Sequence, residues 1–523
     1  LVDKPVADAE HAAMPVRTAV IASFYRDSVV LMSLARDVRS RPGVREVAAL
    51  MGTPANQALL GDAGLATAET ARASPADLVL SVDADSEAAA DEALGAARAM
   101  LADARSAGEH APAFRPRTLA RALAEAPGAN VVAISVPGTF ARYEAMRALR
   151  AGRHVFLFSD NVPLGDEVAL KREAAARGLL CMGPDCGTAY LAGVALGFAN
   201  VVPRGRIGCV AASGTGMQAV ASRVASLGEG ISHGIGVGGR DLAREVGGSM
   251  TVRALDALAG DENTEAVVLV SKPPDEPVLP GLDAALGRLR KPVVVCCLGT
   301  GPRPGAPGRW VETLDHAADA VVAAVRGSAW SPRRFADPGD VTRRLARVRA
   351  RGAPSGGSAR PAGTILGLFT GGTLAHEARV VLGPAGARRH RLLDLGDDAF
   401  TVGRPHPMID PDARADRIVD AARDKDVAVL LLDVVLGRGA HGDPAGVVAR
   451  AFERARAAAA ADGRRIEGVA SVIGTAHDPQ GLEAQVARLS QAGIEVLGSS
   501  AEAARFAGLL VEPDAMQAPG TSC

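Results

Sequence analysis

The chain has 523 residues, 48% hydrophobic and 22% charged, with Lys+Arg 58 against Asp+Glu 59. So long a chain exceeds one ordinary core and predicts several domains, while its balanced charge excludes a disordered chain and offers nucleic acid no basic surface. No apolar run is long enough to span a bilayer, and the opening LVDKPVADAEHAAMPVRT lacks a signal-peptide core, so a cytoplasmic location without membrane contact is expected.

In chain order, TAVIASFY, VREVAALMG and ADLVLSV read as strands with helical patterns between them, a small N-terminal α/β module over residues 15–108. After the polar joint GEHAPAFRPRT, residues 117–205 carry short strands (ANVVAISVP, HVFLFSD, GLLCMGP) separated by helices, which implies a parallel sheet. Residues 206–326 alternate strand and helix, and residues 362–510 repeat nearly the same order, an internal duplication of a flavodoxin-like unit. Residues 327–361, with the Gly/Ser/Pro stretch PSGGSARPAG, read as the linker between the halves.

Each half opens on a strand that runs into a glycine-hinged helix start: CVAASGTGMQAV in the first and LGLFTGGTLAHEA in the second. Loops after strand carboxyl ends form the ligand crevice of an open parallel sheet. Helix starts expose unpaired amides and about half a positive charge, Gly admits an anion closely, and Ser or Thr adds a hydroxyl. Ser213, Gly214, Thr215 and Gly216, with Gly371, Gly372 and Thr373, are therefore candidate phosphate-binding residues. Capping alone explains either motif taken singly, but a pseudo-dyad would let both grip one anion. No Lys-Ser/Thr follows the glycines, so neither is a Walker motif.

Other candidates follow from position. His441 lies in the glycine-rich loop GRGAHGDPAG after an apolar strand, and Lys272 ends a strand where it offers a charge to an anion; both are candidate catalytic groups. MGPDCGT places Asp185 and Cys186 at a tight turn, and GDDAFTVGRPHP supplies Asp397, Asp398, Arg404 and His406 as ligand-facing groups; of these, Asp185, Cys186, Asp397 and Arg404 are the candidate substrate or CoA contacts. His376 falls near the anion site but is expected to face solvent. The six cysteines form no regular framework, Cys296 and Cys297 read as small buried strand residues, and no metal site is expected.

These residues carry a resemblance. From about 117 to 326 the chain resembles the α subunit of succinyl-CoA synthetase, through MGPDCGT, ASGTG, GIGVGG and ENTEAVVLV in the family's order; residues 362–510 resemble the carboxyl-terminal ligase domain of its β subunit, through TGGTLAHEA, LLDLGDDA and VLLLDVVLGRGAHGD. The fused layout behind a small module resembles the FdrA family of acyl-CoA-synthetase-like proteins. The resemblance implies a truncated Rossmann-like CoA-binding-type domain followed by two succinyl-CoA-synthetase-like, flavodoxin-like domains. It also implies that the two helix starts face each other across a phosphohistidine. Here the loop after PVVVCCLG reads TGPRPGAPGRW without histidine, and Lys272 falls near the supporting acidic position. The glycine-rich opening of the CoA fold and an ATP-grasp segment are both missing.

The function expected is an FdrA-type transferase subunit that uses phosphate, or a carbamoyl or acyl phosphate, and acts with other subunits encoded nearby. The resemblance implies an oxamate carbamoyltransferase of allantoin catabolism, in which phosphate cleaves oxalurate to oxamate and carbamoyl phosphate. One alternative is an NDP-forming acyl-CoA synthetase using CoA and a separate ATP-grasp chain; a noncatalytic scaffold is another. A small-molecule substrate and a homo-oligomer are also expected.

Overall fold

The computed structural model describes residues 16–24, 26, 28–106, 116–351, 363–401 and 406–512. They form two compact units, the first made of Leu1–Arg115 with Asp398–Asp410 and the second of the remainder.

In the first unit, β1 (Val16–Ile21), β2 (Val44–Met51) and β3 (Leu78–Ala84) form an antiparallel sheet with β3 in the centre. Alternate residues of a strand face opposite sides. Leu78, Leu80 and Val82 accordingly meet Leu34, Val38 and Leu101 of the helices Ser28–Arg39 and Glu87–Ser106, while Val79 meets Leu60 and Leu65 on the other face. Arg39 and Asp410 pair within this unit at 3.7 Å.

The second unit begins with a small parallel sheet of β4 (Val131–Ile134), β5 (His154–Leu157) and β6 (Cys181–Met182), the Rossmann-like part. The hairpin β7 (Thr188–Leu191) and β8 (Val194–Gly197) then attaches antiparallel to the edge of the next sheet. That sheet contains β9 (Arg204–Ala211), β10 (Ile231–Gly236), β11 (Ala266–Ser271), β12 (Val293–Cys297) and β13 (Arg309–Trp310), all parallel, in the order β10-β9-β11-β12-β13. The last sheet holds β14 (Thr364–Phe369), β15 (Arg391–Asp394), β16 (Val427–Val435), β17 (Glu467–Ile473) and β18 (Ile494–Leu497) in the order β15-β14-β16-β17-β18. Both sheets thus have the flavodoxin-type order 2-1-3-4-5, with the switch point beside the first strand of each. The chain is a multidomain α/β protein.

Strands such as VVVCC and VAVLLLDVV are buried along their whole length, as parallel sheets covered on both faces require. The stretch expected as a linker contains the helix Pro338–Ala350, capped by Asp337, whose side chain accepts the Asp340 amide at 3.0 Å. Arg344, Arg347 and Arg351 all reach the nearly buried carboxylate of Glu495 in β18, which ties this arginine-rich segment down. The Gly/Ser/Pro stretch itself falls almost wholly outside the described residues.

The two halves meet through the helices Gly214–Ser226 and Leu314–Val325 of the first and Gly372–Arg389 and Ser500–Val511 of the second. Their capping crosses the seam. Glu377 of the second half accepts the Leu314 amide at 2.7 Å, and Asp315 of the first accepts the hydroxyl of Ser499, the cap of Ser500–Val511, at 2.8 Å. Buried Arg505 pairs with Asp315 at 3.3 Å. The helix Gly372–Arg389 is broken at Gly383, where φ is +71°, before Pro384.

Candidate functional site

β9 delivers the chain to Ser213, which caps the helix Gly214–Ser226 by accepting the Gly216 amide at 3.0 Å. β14 delivers it to Gly371 at the start of Gly372–Arg389. The two starts touch: the Thr373 hydroxyl donates to the Ser213 hydroxyl at 2.5 Å. A Cβ on Gly371 would stand 2.7 Å from the Thr215 side chain, so that glycine is required by close approach. Among the described residues no acceptor reaches the amides of Gly214 and Thr215. Two positive helix ends converge there, an arrangement that favours an anion. Thr188 backs the first start, donating its hydroxyl to the Phe198 carbonyl at 2.7 Å.

The two starts are not the equal amide cradles their sequences predict. At the second, Asp433 accepts the amides of Thr370 at 2.8 Å and Gly371 at 3.2 Å, neutralising that helix end from within the protein. Its charge is met by Arg414, whose Nη2 lies 3.1 Å from Asp433 Oδ1 and whose Nη1 donates to the Thr370 hydroxyl at 2.7 Å. Burial pushes the Arg414 guanidinium below its usual value, and Asp433 opposes that shift. Asp394, at the end of β15, lies so close to Gly372 that no Cβ fits there. Burial raises its carboxyl to about 6, reinforced by Asp433 and Asp397 and opposed by the Gly396 amide and Lys272. These three charged residues went unread in the sequence. The signal was present for one of them, since Asp433 is the sole charge within an otherwise apolar nine-residue strand.

Lys272 is exposed at the end of β11, close enough for its charge to act on both Asp394 and His376. His376, expected in solvent, is half-buried, and its Nε2 bonds the Leu298 carbonyl at 3.3 Å. Desolvation lowers its pKa, as do Lys272 and Arg379, against the Leu298 bond. The position follows from helix geometry, because residues four apart share a face and that of Gly372 turns inward.

His441 precedes the helix Pro444–Ala461, where its Nδ1 accepts the Asp443 amide at 3.0 Å. Asp185 is exposed, at positive φ in the turn after β6. Cys186 corrects the expectation of a ligand contact: its thiol is packed against Gly236 and pushed up to about 12 by burial. Asp397 is exposed, Asp398 belongs to the first unit, and Arg404 lies outside the described residues. In the loop after β12, Arg303 pairs with Asp283 at 2.9 Å and stacks on Trp310, so this loop carries an arginine lock and no imidazole. Among the described residues no group of three or more His, Cys, Asp or Glu side chains could hold a metal ion, and no helix is long and apolar enough to cross a membrane.

Comparison with known proteins gives this geometry a setting. Residues 368–510 match a family model described as CoA-ligase, and residues 14–116 match one described as AllF, heavy metal-associated domain. The uncharacterized protein YahF of Escherichia coli (strain K12) is 38% identical over 508 residues, covering 93% of this chain and 97% of that one. A succinate–CoA ligase [ADP-forming] subunit alpha 2 of Archaeoglobus fulgidus is 30% identical over 186 residues, covering 34% of this chain and 61% of that one. Among solved structures, the apo form of a dinucleotide-forming acetyl-coenzyme A synthetase 1 from Ca. Korarchaeum cryptofilum is 16% identical with a TM-score of 0.31, over 74% of this chain and 84% of that one. Heavy-metal sites draw on thiolates and imidazoles. Residues 14–116 contain no cysteine, and their sole histidine, His110, lies outside the described residues, so the residues present do not fit such a metal.

Proposed function

The chain belongs to the family of E. coli YahF and carries a CoA-ligase domain, and on that premise we propose an enzyme of the ligase kind that binds phosphate, or the phosphate of an acyl phosphate, between the two helix starts. The observation that supports this most is the 2.5 Å contact of Ser213 and Thr373, which joins the starts of the two halves. In this reading the Gly214 and Thr215 amides and the Ser213 hydroxyl donate to the phosphoryl oxygens, while the Thr373 hydroxyl keeps its bond to Ser213. They are fixed before the anion arrives, so they stabilise charge developing there without reorganisation. Lys272 adds a positive charge at the rim.

CoA would be held in the β4–β6 part. The hydroxyl of Ser159, just past β5, is buried and unpartnered among the described residues, and the Asp185 amide donates to the Ser159 carbonyl at 3.0 Å. When bound, CoA supplies the thiol that accepts the acyl group. A separate ATP-grasp chain would provide the nucleotide step. The test is acid-dependent formation of a CoA thioester by the purified chain with such a partner; absence of CoA binding by calorimetry removes this reading.

A second reading comes from the resemblance to the FdrA family, beside which the AllF-type match over residues 14–116 points to allantoin metabolism: transfer of a carbamoyl group between oxalurate and phosphate with partner subunits. Phosphate-dependent release of carbamoyl phosphate from oxalurate is the assay. His441, whose Nδ1 already accepts the Asp443 amide, would be placed beside the transferred carbonyl in either reading.

A further inference from the structure

Residues 333–336 fall inside the stretch expected as a linker, yet their backbone is fixed by three bonds from the seam of the two halves. His316 Nε2 donates to the Arg333 carbonyl at 2.9 Å, Arg505 Nη1 donates to the Arg334 carbonyl at 2.9 Å, and the Ala336 amide donates to Glu502 Oε1 at 2.6 Å. Arg505 is itself held by buried Asp315. Together with Pro338, at the start of the helix Pro338–Ala350, and Leu509 of Ser500–Val511, these residues line an open cleft of about 530 Å³. A cleft of that volume takes a small organic molecule.

Its lining has two kinds of surface. Phe335, Pro338 and Leu509 are apolar, Phe335 being buried and Leu509 half-buried. Arg333 and Arg334 contribute guanidiniums, and no carboxylate lines the cleft among the described residues. Arg333 is exposed, and its guanidinium makes no hydrogen bond or ion pair among the described residues. The carboxylates that follow nearby are engaged elsewhere: Glu502 accepts the Ala336 amide, and Asp337 accepts the Asp340 amide at 3.0 Å. A guanidinium's forked donors match a carboxylate or sulfonate, whereas the apolar wall gains free energy only when apolar surface covers it. A bare inorganic ion leaves that wall wet, and an uncharged molecule leaves the cation unused.

We propose that this cleft is a binding site for a small organic anion, a carboxylate or sulfonate on an apolar stem, with its head on Arg333 and its stem along Phe335, Pro338 and Leu509. Arg334 adds positive charge to the wall. The site shares no residue with the paired helix starts and does not depend on the ligase reading. Its wall is held in place by the bonds from His316, Arg505 and Glu502 before any ligand arrives, so little ordering cost falls on binding. An anion bound there stabilises the folded chain by mass action.

The probe is 8-anilinonaphthalene-1-sulfonate, an aromatic anion whose fluorescence rises on leaving water, titrated into the full chain and then displaced by hexanoate, hexan-1-ol or hexylammonium. Saturable binding is expected, displaced by hexanoate well before the alcohol or the cation, and weakened by added salt. Arg333→Ala should weaken it about tenfold, Arg333→Lys by less, and Leu509→Glu, which puts a like charge in the cleft, should abolish it. No binding to the wild type overturns the proposal. So does displacement that ignores charge, or binding that survives Arg333→Ala unchanged. Loss in Gly214→Val with retention in Arg333→Ala also overturns it, by assigning the anion to the helix starts. Circular dichroism checks the fold of Leu509→Glu, and Arg333→Ala removes a guanidinium without internal partners, so it reports on the cleft whether or not Leu509→Glu folds.

Discussion

Glu377 and Asp315 lie within one buried cluster at the seam of the two halves, with Arg505 as its cation. Each carboxyl serves the helix start of the opposite half, so the seam is built by exchange of caps. One arginine does not neutralise two carboxylates, and the cost falls on Glu377. Burial and the Asp315 charge raise it from 4.5 to about 7, against the Ser500 and Leu314 hydrogen bonds and Arg505, while Asp315, held by Arg505, lies at about 2.

The sign of the pH effect follows. Between the ordinary carboxyl value and about 7 the folded chain binds more protons at Glu377 than the unfolded chain, so this group makes stability fall as pH rises through that window. Glu377→Gln, which needs no proton to be neutral, is expected to flatten this slope and raise stability above pH 7 by on the order of 1 kcal/mol. Urea denaturation at pH 5, 7 and 8.5 reads the difference.

Arg414→Met removes the partner of a fully buried carboxylate. Destabilisation of about 3–5 kcal/mol is expected, against far less for the double variant with Asp433→Asn. Chemical denaturation of the singles and the pair forms a cycle whose coupling measures the lock.

Gly371→Ala places a methyl group 2.7 Å from Thr215. Overpacking of this sort costs about 1–3 kcal/mol. The variant should also lose sulfate affinity, because the two starts are forced apart. Thermal melts and sulfate calorimetry on the same preparation test both effects; full retention of binding would show that the contact is not needed for the anion.

The thiols of Cys181, Cys186, Cys209 and Cys297 are pushed up to about 12 by burial, and Cys296 well upward for the same reason. Thiolate is the reactive form. Iodoacetamide at pH 8 should leave these five unmodified in the native chain and label all six cysteines after unfolding; peptide mass mapping gives the answer.

The strand–helix alternation was legible because apolar runs such as VVVCC and VAVLLLDVV admit only a covered parallel sheet, and the repeat of order carried the duplication with it. The meeting of Ser213 and Thr373 was legible as an expectation from that repeat and from a family resemblance. What the sequence hid was electrostatic. Nothing in the string LLDLGDD says that Asp394 will crowd a glycine from another strand end, and nothing near ARADRI says that Arg414 will be buried against Asp433. Such pairings depend on distances between elements that periodicity does not encode. The helix Pro338–Ala350 was masked in another way: its neighbours are rich in Gly, Ser and Pro, and its anchoring carboxylate, Glu495, lies far along the chain.

Both jaws around Ser213 and Thr373 ride on one polypeptide within one folded unit. A cradle assembled from separate subunits comes apart on dilution, with an occupancy set by how often its pieces meet. Covalent fusion replaces that encounter with a fixed effective concentration, so the gap between these helices closes as soon as the chain folds and is indifferent to how much of the protein is present.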